Sequence, residues 1–181
     1  MKRLLVLAAA LTGAIARAHA QGFDGSPLPR SEPESEKIYG VVRIHDTELT
    51  QHLVHLWEDG FLKVHPLVRY SEYTVPAWFS GLCAGTADLA VTGHDAWRSD
   101  LKAVEGIYGY PLARLVYIYF APDQPSGEPA DPQVDPKVRE FLRYILSRQG
   151  QQDGAREGDY LPLTPALASA QLGKLESPSQ Q

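Results

Sequence analysis

Hydroxyl and imidazole side chains follow two predicted strands in the middle of the chain, where they could hydrogen-bond a small polar ligand. Ser71 and Tyr73 follow one of these strands, and Thr92 and His94 follow the next. Ligands of open α/β sheets bind at the carboxyl ends of strands, where the loops of neighbouring strands meet. These four residues are therefore predicted ligand contacts, while capping and turn roles explain the hydroxyl side chains equally well.

The elements that position these residues alternate between strand and helix patterns. Short β-branched or apolar runs predict strands, and apolar residues repeated at three and four predict helices. The predicted strands are 37–44, 66–70, 87–91 and 113–120, and the predicted helices are 47–59, 75–82, 99–107, 136–146 and 165–175. This order predicts an α/β fold with a mostly parallel sheet and helices on both faces.

The first twenty residues predict a secretory signal peptide. Two basic residues precede an apolar run, 4–15, and the A-x-A pattern of a cleavage site occupies 18–20. We therefore expect a mature chain that begins at Gln21 and is periplasmic or secreted. No later run is apolar for long enough to cross a bilayer, so no membrane span is expected after signal removal.

The remaining sequence predicts one domain with polar ends. Residues 21–36 are rich in Pro, Ser, Gly and Glu and predict a disordered leader. The single α/β domain is predicted over 37–176, with a Pro-rich linker at 121–136, and 177–181 form a loose tail.

Charge and cysteine content exclude several kinds of partner and chemistry. The chain has 17 basic and 22 acidic residues, and removal of Lys2, Arg3 and Arg17 would leave 14 basic residues against the same 22. Such an acidic chain argues against nucleic acid and against an anionic membrane surface as partners. Cys83 is the single cysteine, so no internal disulfide forms, and we expect it to be a small buried hydrophobic residue.

No motif for catalysis or for a cofactor is evident. The sequence has no Ser-His-Asp, paired-carboxylate or metal motif in a suitable context, so it does not predict an enzyme. His52 and His55 lie three residues apart on a predicted helix and could supply half of a metal site. No third ligand follows at a typical spacing, so surface histidines are the favoured interpretation and a metal site is the alternative.

Three segments carry motifs of one protein family. In chain order they are Leu56-Trp57 and Phe61 before His65-Pro66, then A-G-T-A-D-L-A at 84–90 with Y-G-Y-P at 108–111, then 135–151 with G-D-Y-L-P-L at 158–163. In these segments the chain resembles the phosphate-type substrate-binding proteins of ABC importers, in the type 2 periplasmic binding protein superfamily. The resemblance implies a secreted solute-binding protein, with an ABC permease as a partner.

The resemblance also implies a protein reduced to one lobe. Members of the family close two lobes on the ligand, and the linker 121–136 occupies the place of the second lobe. Ser71-Glu72 stands where the family often has Gly-Ser, and Gly93-His94 stands where it often has Ser-Arg. Weak binding is expected, because half of any ligand would stay in water.

The site that the resemblance implies would hold phosphate or a similar small anion. The start of the helix after Thr47 would supply N–H groups, and Thr47, Ser71 and Thr92 would supply hydroxyls. His94, when protonated, would replace the arginine of the family. The alternative is an interaction module that has lost ligand binding and binds a protein partner through the open face of the lobe.

Overall fold

The computed structural model of the protein describes residues 3–10, 25–32, 38–75, 80–93, 114–120 and 134–176. The strands are β1 (Arg3–Ala10), β2 (Gly40–Asp46), β3 (Val68–Thr74), β4 (Leu89–Thr92), β5 (Arg114–Phe120) and β6 (Tyr160–Leu161). The helices are α1 (Gln51–Val64), α2 (Ser80–Ala84), α3 (Pro136–Leu146), α4 (Arg148–Glu157) and α5 (Pro165–Glu176). The predicted helix 99–107 and almost all of the linker 121–136 lie outside the described residues.

The described strands form one mixed sheet in the order β3-β2-β4-β5-β1-β6. β2 pairs in parallel with both β3 and β4, whereas β5 is antiparallel to β4 and to β1, and β1 is antiparallel to β6. Strands β1 to β4 therefore run in one direction and β5 and β6 in the other. The predicted α/β class with a mostly parallel sheet is confirmed, and β5 is the point at which the parallel succession ends.

β1 lies within the segment predicted to be a signal peptide. It pairs with β5 along its length, from Arg3 opposite Phe120 to Ala10 opposite Arg114, and its last two residues also pair with β6. Cleavage after Ala20 would take this strand out of the sheet and leave β5 and β6 without it. The signal peptide stays a prediction.

The two faces of the sheet carry different helices. Val42 and Ile44 point to one face of β2 and are fully buried with α1 and α3 in the main core. His45 points to the other face, where a Cβ placed on Gly81 of α2 would overlap its imidazole. Because side chains alternate along a strand, β2 has one buried face and a second face that α2 covers only near His45, since Val41 is 46% exposed.

Helix α4 forms in a polar segment for which the sequence predicts neither a helix nor a strand. Its glycines lie four residues apart and pack against α1, where the Trp57 indole donates a hydrogen bond of 3.0 Å to the Gly150 carbonyl. Gly154 faces Leu53 of the same helix, since an added Cβ would lie 3.1 Å from Leu53 Cδ1. Gly and polar residues suggest a loop, but here they let two helices approach closely.

The sequence predicts that this helix ends before Gly60, but α1 continues through Gly60 to Val64. A Cβ at Gly60 would overlap the Tyr144 hydroxyl and the Asp153 carboxylate, which are hydrogen-bonded to each other. The absence of a side chain at Gly60 therefore makes room for a buried contact between α3 and α4.

We expect Gly60→Ala to lower the free energy of unfolding by about 1–3 kcal/mol, because overpacking forces buried neighbours to move. Gly173→Ala is the matched control, since Gly173 is exposed on α5 and an added Cβ would have nothing within 4 Å. That control should raise stability by roughly 0.5–1 kcal/mol through helix propensity. Urea unfolding measures both, and equal effects of the two variants would contradict the packing role of Gly60.

Candidate functional site

The carboxyl ends of β2, β3 and β4 lie together at one edge of the sheet, because the three strands are parallel. Asp46 is opposite Thr74, and His45 is opposite both Tyr73 and Ala90. Helix α1 begins at Gln51, a few residues after Asp46, so its amino terminus lies at the same edge. Helix N–H groups and strand-end side chains thus converge at this edge, which we call the carboxyl edge.

Two of the predicted ligand hydroxyls are buried at the carboxyl edge. Thr47 follows β2, and its hydroxyl lies 3.1 Å from that of Thr50. The Thr50 hydroxyl donates to the Val91 carbonyl at 3.3 Å and accepts from the Thr47 N–H at 3.2 Å, which ties the start of α1 to β4. Thr92 ends β4 and is fully buried. These threonines are therefore buried below the surface of the carboxyl edge, where their contacts stabilise it.

Ser71 and Tyr73 lie within β3 and not in the loop that the sequence predicts after residue 70. The parallel pairing of β3 with β2 extends the strand to Thr74, and polar side chains do not interrupt it because this strand is only partly buried. Tyr73 is 59% exposed and packs edge-to-face on His45, with ring centroids 5.9 Å apart. Ser71 lies two residues before Tyr73 and therefore points to the same face.

His94 lies outside the described residues, whereas the structure describes Arg43, a cation on β2. Its Nε donates to Asp88 Oδ1 at 3.1 Å, and its backbone N–H donates to Asp88 Oδ2 at 2.9 Å. The guanidinium also donates to the Gly85 carbonyl at 2.9 Å, at a turn where Gly85 has φ +71°. Asp88 thus accepts hydrogen bonds from the backbone and the side chain of Arg43, and the ion pair fixes the turn before β4.

A cluster of carboxyl groups and one histidine lies on the opposite face, the face covered by α1. His55 Nε2 lies 2.7 Å from Glu72 Oε2, and one ligand atom each from His55, Glu58 and Glu72 lie within 4.8 Å of one another. We call these three residues the His-Glu cluster. Asp46 lies beside it, with one carboxylate oxygen accepting a 2.7 Å hydrogen bond from the Thr74 hydroxyl.

Sequence reasoning missed the His-Glu cluster. It paired His55 with His52, whereas the structure pairs His55 with a carboxylate from β3, a strand that is separate in sequence. His52 is exposed on α1. The usable signal was the i, i+3 spacing of His55 and Glu58 on one helical face, together with an acidic residue inside the adjacent parallel strand.

Crowding of carboxyl groups controls the electrostatics of this cluster. Burial raises the pKa of Glu58 to about 8, and the nearby carboxylates of Glu72, Asp46 and Asp59 act in the same direction. Burial, followed by Asp46, also raises the pKa of Glu72, while His55 lowers it. Among the described residues, Asp46, Glu58 and Glu72 each have a buried carboxyl oxygen without a hydrogen-bond partner. The cluster therefore gathers more acid groups than can all be ionised together.

Glu58→Gln should stabilise the protein more at pH 8 than at pH 5. A folded-state pKa of about 8 against a normal value of 4.5 means that the folded state holds an extra proton, so stability falls as pH rises between these values. The amide stays neutral and removes this loss. We expect the gain from the substitution to be larger at pH 8 by more than about 1 kcal/mol, since one pKa unit is worth about 1.4 kcal/mol.

Chemical unfolding at the two pH values measures this difference, and Glu48→Gln is its control. Glu48 is an exposed carboxylate near the start of α1, so its substitution makes the same charge change without burial. A gain from Glu58→Gln that is independent of pH would contradict the raised pKa.

The predicted burial of Cys83 is wrong, because its side chain is exposed on α2. This helix has five residues and buries Gly81 and Leu82, which leaves Cys83 on its outer side. A one-turn helix on a sheet buries only one narrow face, and apolar neighbours in sequence do not show which residues occupy it.

Two surface pockets lie away from the carboxyl edge. One is lined by residues 38–41 and 135–137, at the start of β2, and the other lies between residues 29–32 and helices α3 and α5. Neither includes a residue of the predicted ligand set. No helix in the described part of the chain is long and apolar enough to cross a membrane.

The comparisons with known proteins point to phosphate-binding proteins. The phosphate-binding protein PstS of Pseudomonas aeruginosa, in strains PAO1 and UCBPP-PA14, is 35% identical over 68 residues. The matched stretch covers 36% of this chain and 18% of each of these relatives. No protein-family model matches the chain.

A solved structure has the same fold. It is a possible phosphate-binding protein from Planctomyces limnophilus, with a TM-score of 0.59 and 9% sequence identity. The alignment covers 79% of this chain and 100% of that one. At this identity the likeness concerns the fold: the chain is an α/β protein with the architecture of that possible phosphate-binding protein.

Proposed function

We propose that the chain is a secreted or periplasmic solute-binding-like protein for phosphate or a similar small anion, reduced to one lobe. The observation that carries the proposal is the 35% identity with PstS, joined to a fold shared with a second possible phosphate-binding protein. The linker 121–136 would replace the second lobe, and a permease of the ABC type would be the partner in transport.

The anion would bind at the carboxyl edge, on the face that carries His45 and Tyr73. The amino terminus of α1 would provide N–H groups and a favourable dipole at the same edge, from the side of the sheet that α1 covers. Tyr73 and Ser71 would donate hydroxyls, and Thr47 and Thr92 would hold the loops in place or donate after a local opening. Arg43 is engaged by Asp88, so the proposed cation is His94 in its protonated form.

Weak affinity follows from the same geometry. Asp46 and Glu72 lie at the neighbouring face and oppose a second negative charge. A ligand held by one lobe also keeps part of its surface in water, so hydrogen bonds to it compete with solvent. The proposed protein would release its ligand readily.

Calorimetric titration of the purified chain with phosphate and sulfate at pH 6 and pH 8 tests the proposal. Sulfate keeps its charge over this range, so its pH dependence reports on the protein alone. We expect saturable heat for both anions, several-fold weaker binding at pH 8, and loss of binding in His94→Ala, because a protonated imidazole supplies the cation. His52→Ala is the control, since His52 is exposed on α1. A folded chain that gives no heat with either anion would exclude the anion site.

The alternative is an interaction module that binds a protein through the open face. Leu49 and Tyr73 are each 59% exposed and lie on segments that meet the carboxyl edge. Exposed large apolar side chains at one edge favour a protein contact over a small-molecule site. This alternative becomes the better explanation if the anion titration fails in a folded chain.

Export is tested by expressing the chain with its first twenty residues in a Gram-negative bacterium and fractionating the cells. We expect a periplasmic product whose mass corresponds to a chain that begins at Gln21. The matched control replaces Ala18 and Ala20 with bulky residues and should retain the full length. A cytoplasmic product that keeps Met1–Ala20 in the unaltered chain would contradict the signal peptide.

A further inference from the structure

The His-Glu cluster has the composition and placement of a metal site, and it lies on the face opposite to the proposed anion site. Its residues come from two elements that pack against each other, since His55 and Glu58 are on α1 and Glu72 is on β3. One imidazole nitrogen and two carboxylate oxygens lie within 4.8 Å of one another. Ligands around a tetrahedral zinc ion are separated by about 3.3 Å, as follows from metal–ligand distances near 2.0–2.2 Å.

Buried carboxyl oxygens in and beside the cluster also favour a bound cation. Glu58 is only 9% exposed, and its buried Oε1 has no hydrogen-bond partner. Asp46 is fully buried beside Glu72, and its Oδ2 also has no partner. A buried acceptor without a donor is costly, so these carboxyl oxygens need a positive charge or protons close to them.

We propose that His55, Glu58 and Glu72 bind a divalent transition-metal ion of the zinc class, with Asp46 adding negative charge behind Glu72. The mixed nitrogen and oxygen ligand set favours zinc-like ions over Mg²⁺, which prefers oxygen ligands and retains several waters. The 2.7 Å contact of His55 with Glu72 would open to admit the ion.

Protons and metal would compete for the same oxygens. Without the ion, Glu58, Glu72 and Asp46 bring carboxyl groups close together, and protons would relieve this crowding. Binding of the ion would release those protons and would clamp α1 to β3. Asp59 and Tyr70 also face the cluster, Asp59 as a further acidic group and Tyr70 as a buried phenol whose hydroxyl has no partner among the described residues.

The test uses the full chain without a polyhistidine tag. Calorimetry at pH 7.5 with ZnCl₂ should give one saturable site that releases protons, measured as a heat that depends on the buffer. MgCl₂ should give no comparable heat. Zinc at about a hundred times its dissociation constant should raise the melting temperature by on the order of 5–10 °C, as expected for a ligand that binds only the folded state.

Three substitutions locate the ion. Glu72→Gln and His55→Ala should each weaken zinc binding at least tenfold, because each removes one ligand. Glu58→Gln should also weaken it, because an amide cannot give up a proton to become an anionic ligand, and the similar size of the two side chains favours folding. His52→Ala is the matched control, because it removes an exposed histidine one turn before His55, and it should change the affinity less than twofold.

Two outcomes would overturn the proposal. The first is no saturable zinc heat and no rise of melting temperature in the folded chain, which would make the cluster a protonated acid pair with an ion pair to His55. The second is an equal loss of binding in His52→Ala and His55→Ala with none in Glu72→Gln, which would assign the metal to the two surface histidines. Both outcomes leave the anion titration unaffected, since that site lies on the other face.

Discussion

The parallel pairing of β2 with β3 and β4 is the constraint on which the rest of the structure depends. It brings three strand ends and the start of α1 to one edge, and it fixes which side chains share a face. Asp46 and Glu72 point toward α1, whereas His45 and Tyr73 point toward α2. A shift of this register by one residue would exchange the two sets of side chains, so that charged side chains that are now exposed would be buried.

The register therefore separates two chemistries that are close together along the chain. The face toward α1 gathers acidic groups around His55, and the other face has hydroxyls, an aromatic ring and an imidazole. An anion and a cation would meet different surroundings within a few residues of each other. This separation explains how an acidic protein can be proposed to bind phosphate at all, since the carboxylates are turned to the opposite side of the sheet.

Local signals in the sequence predicted the elements that have strong boundaries. Asp135 accepts a hydrogen bond from the Lys137 N–H in front of Pro136, as expected for the start of α3, and the apolar run of β5 formed a strand. Trp57 is buried in the main core. What could not be predicted depends on contacts between distant segments. Gly60 leaves room for Tyr144, and Gly150 and Gly154 let two helices approach closely. The contact of Glu72 with His55 joins a strand to a helix that is separate in sequence.

The candidate site shows the same division. The edge at the strand ends follows from the order of elements, but the burial of Thr47 and Thr92 follows from the hydrogen bonds of Thr50, which no spacing reveals. Ser71 and Tyr73 became strand residues because a neighbouring strand supplied the backbone partners. The sequence pattern alone predicts the fold class, whereas the face of the sheet to which each side chain points depends on the strand register.

β1 has a consequence for the order of events in the cell. Residues 3–10 form a strand between β5 and β6, yet the same residues are predicted to be part of an unfolded leader for export. If the precursor completed its sheet in the cytoplasm, the predicted signal peptide would be part of the folded sheet and would be inaccessible to the export apparatus. If the chain is exported, its precursor must be recognised before β5 and β6 join the sheet, and both strands lie far later in the chain than β1.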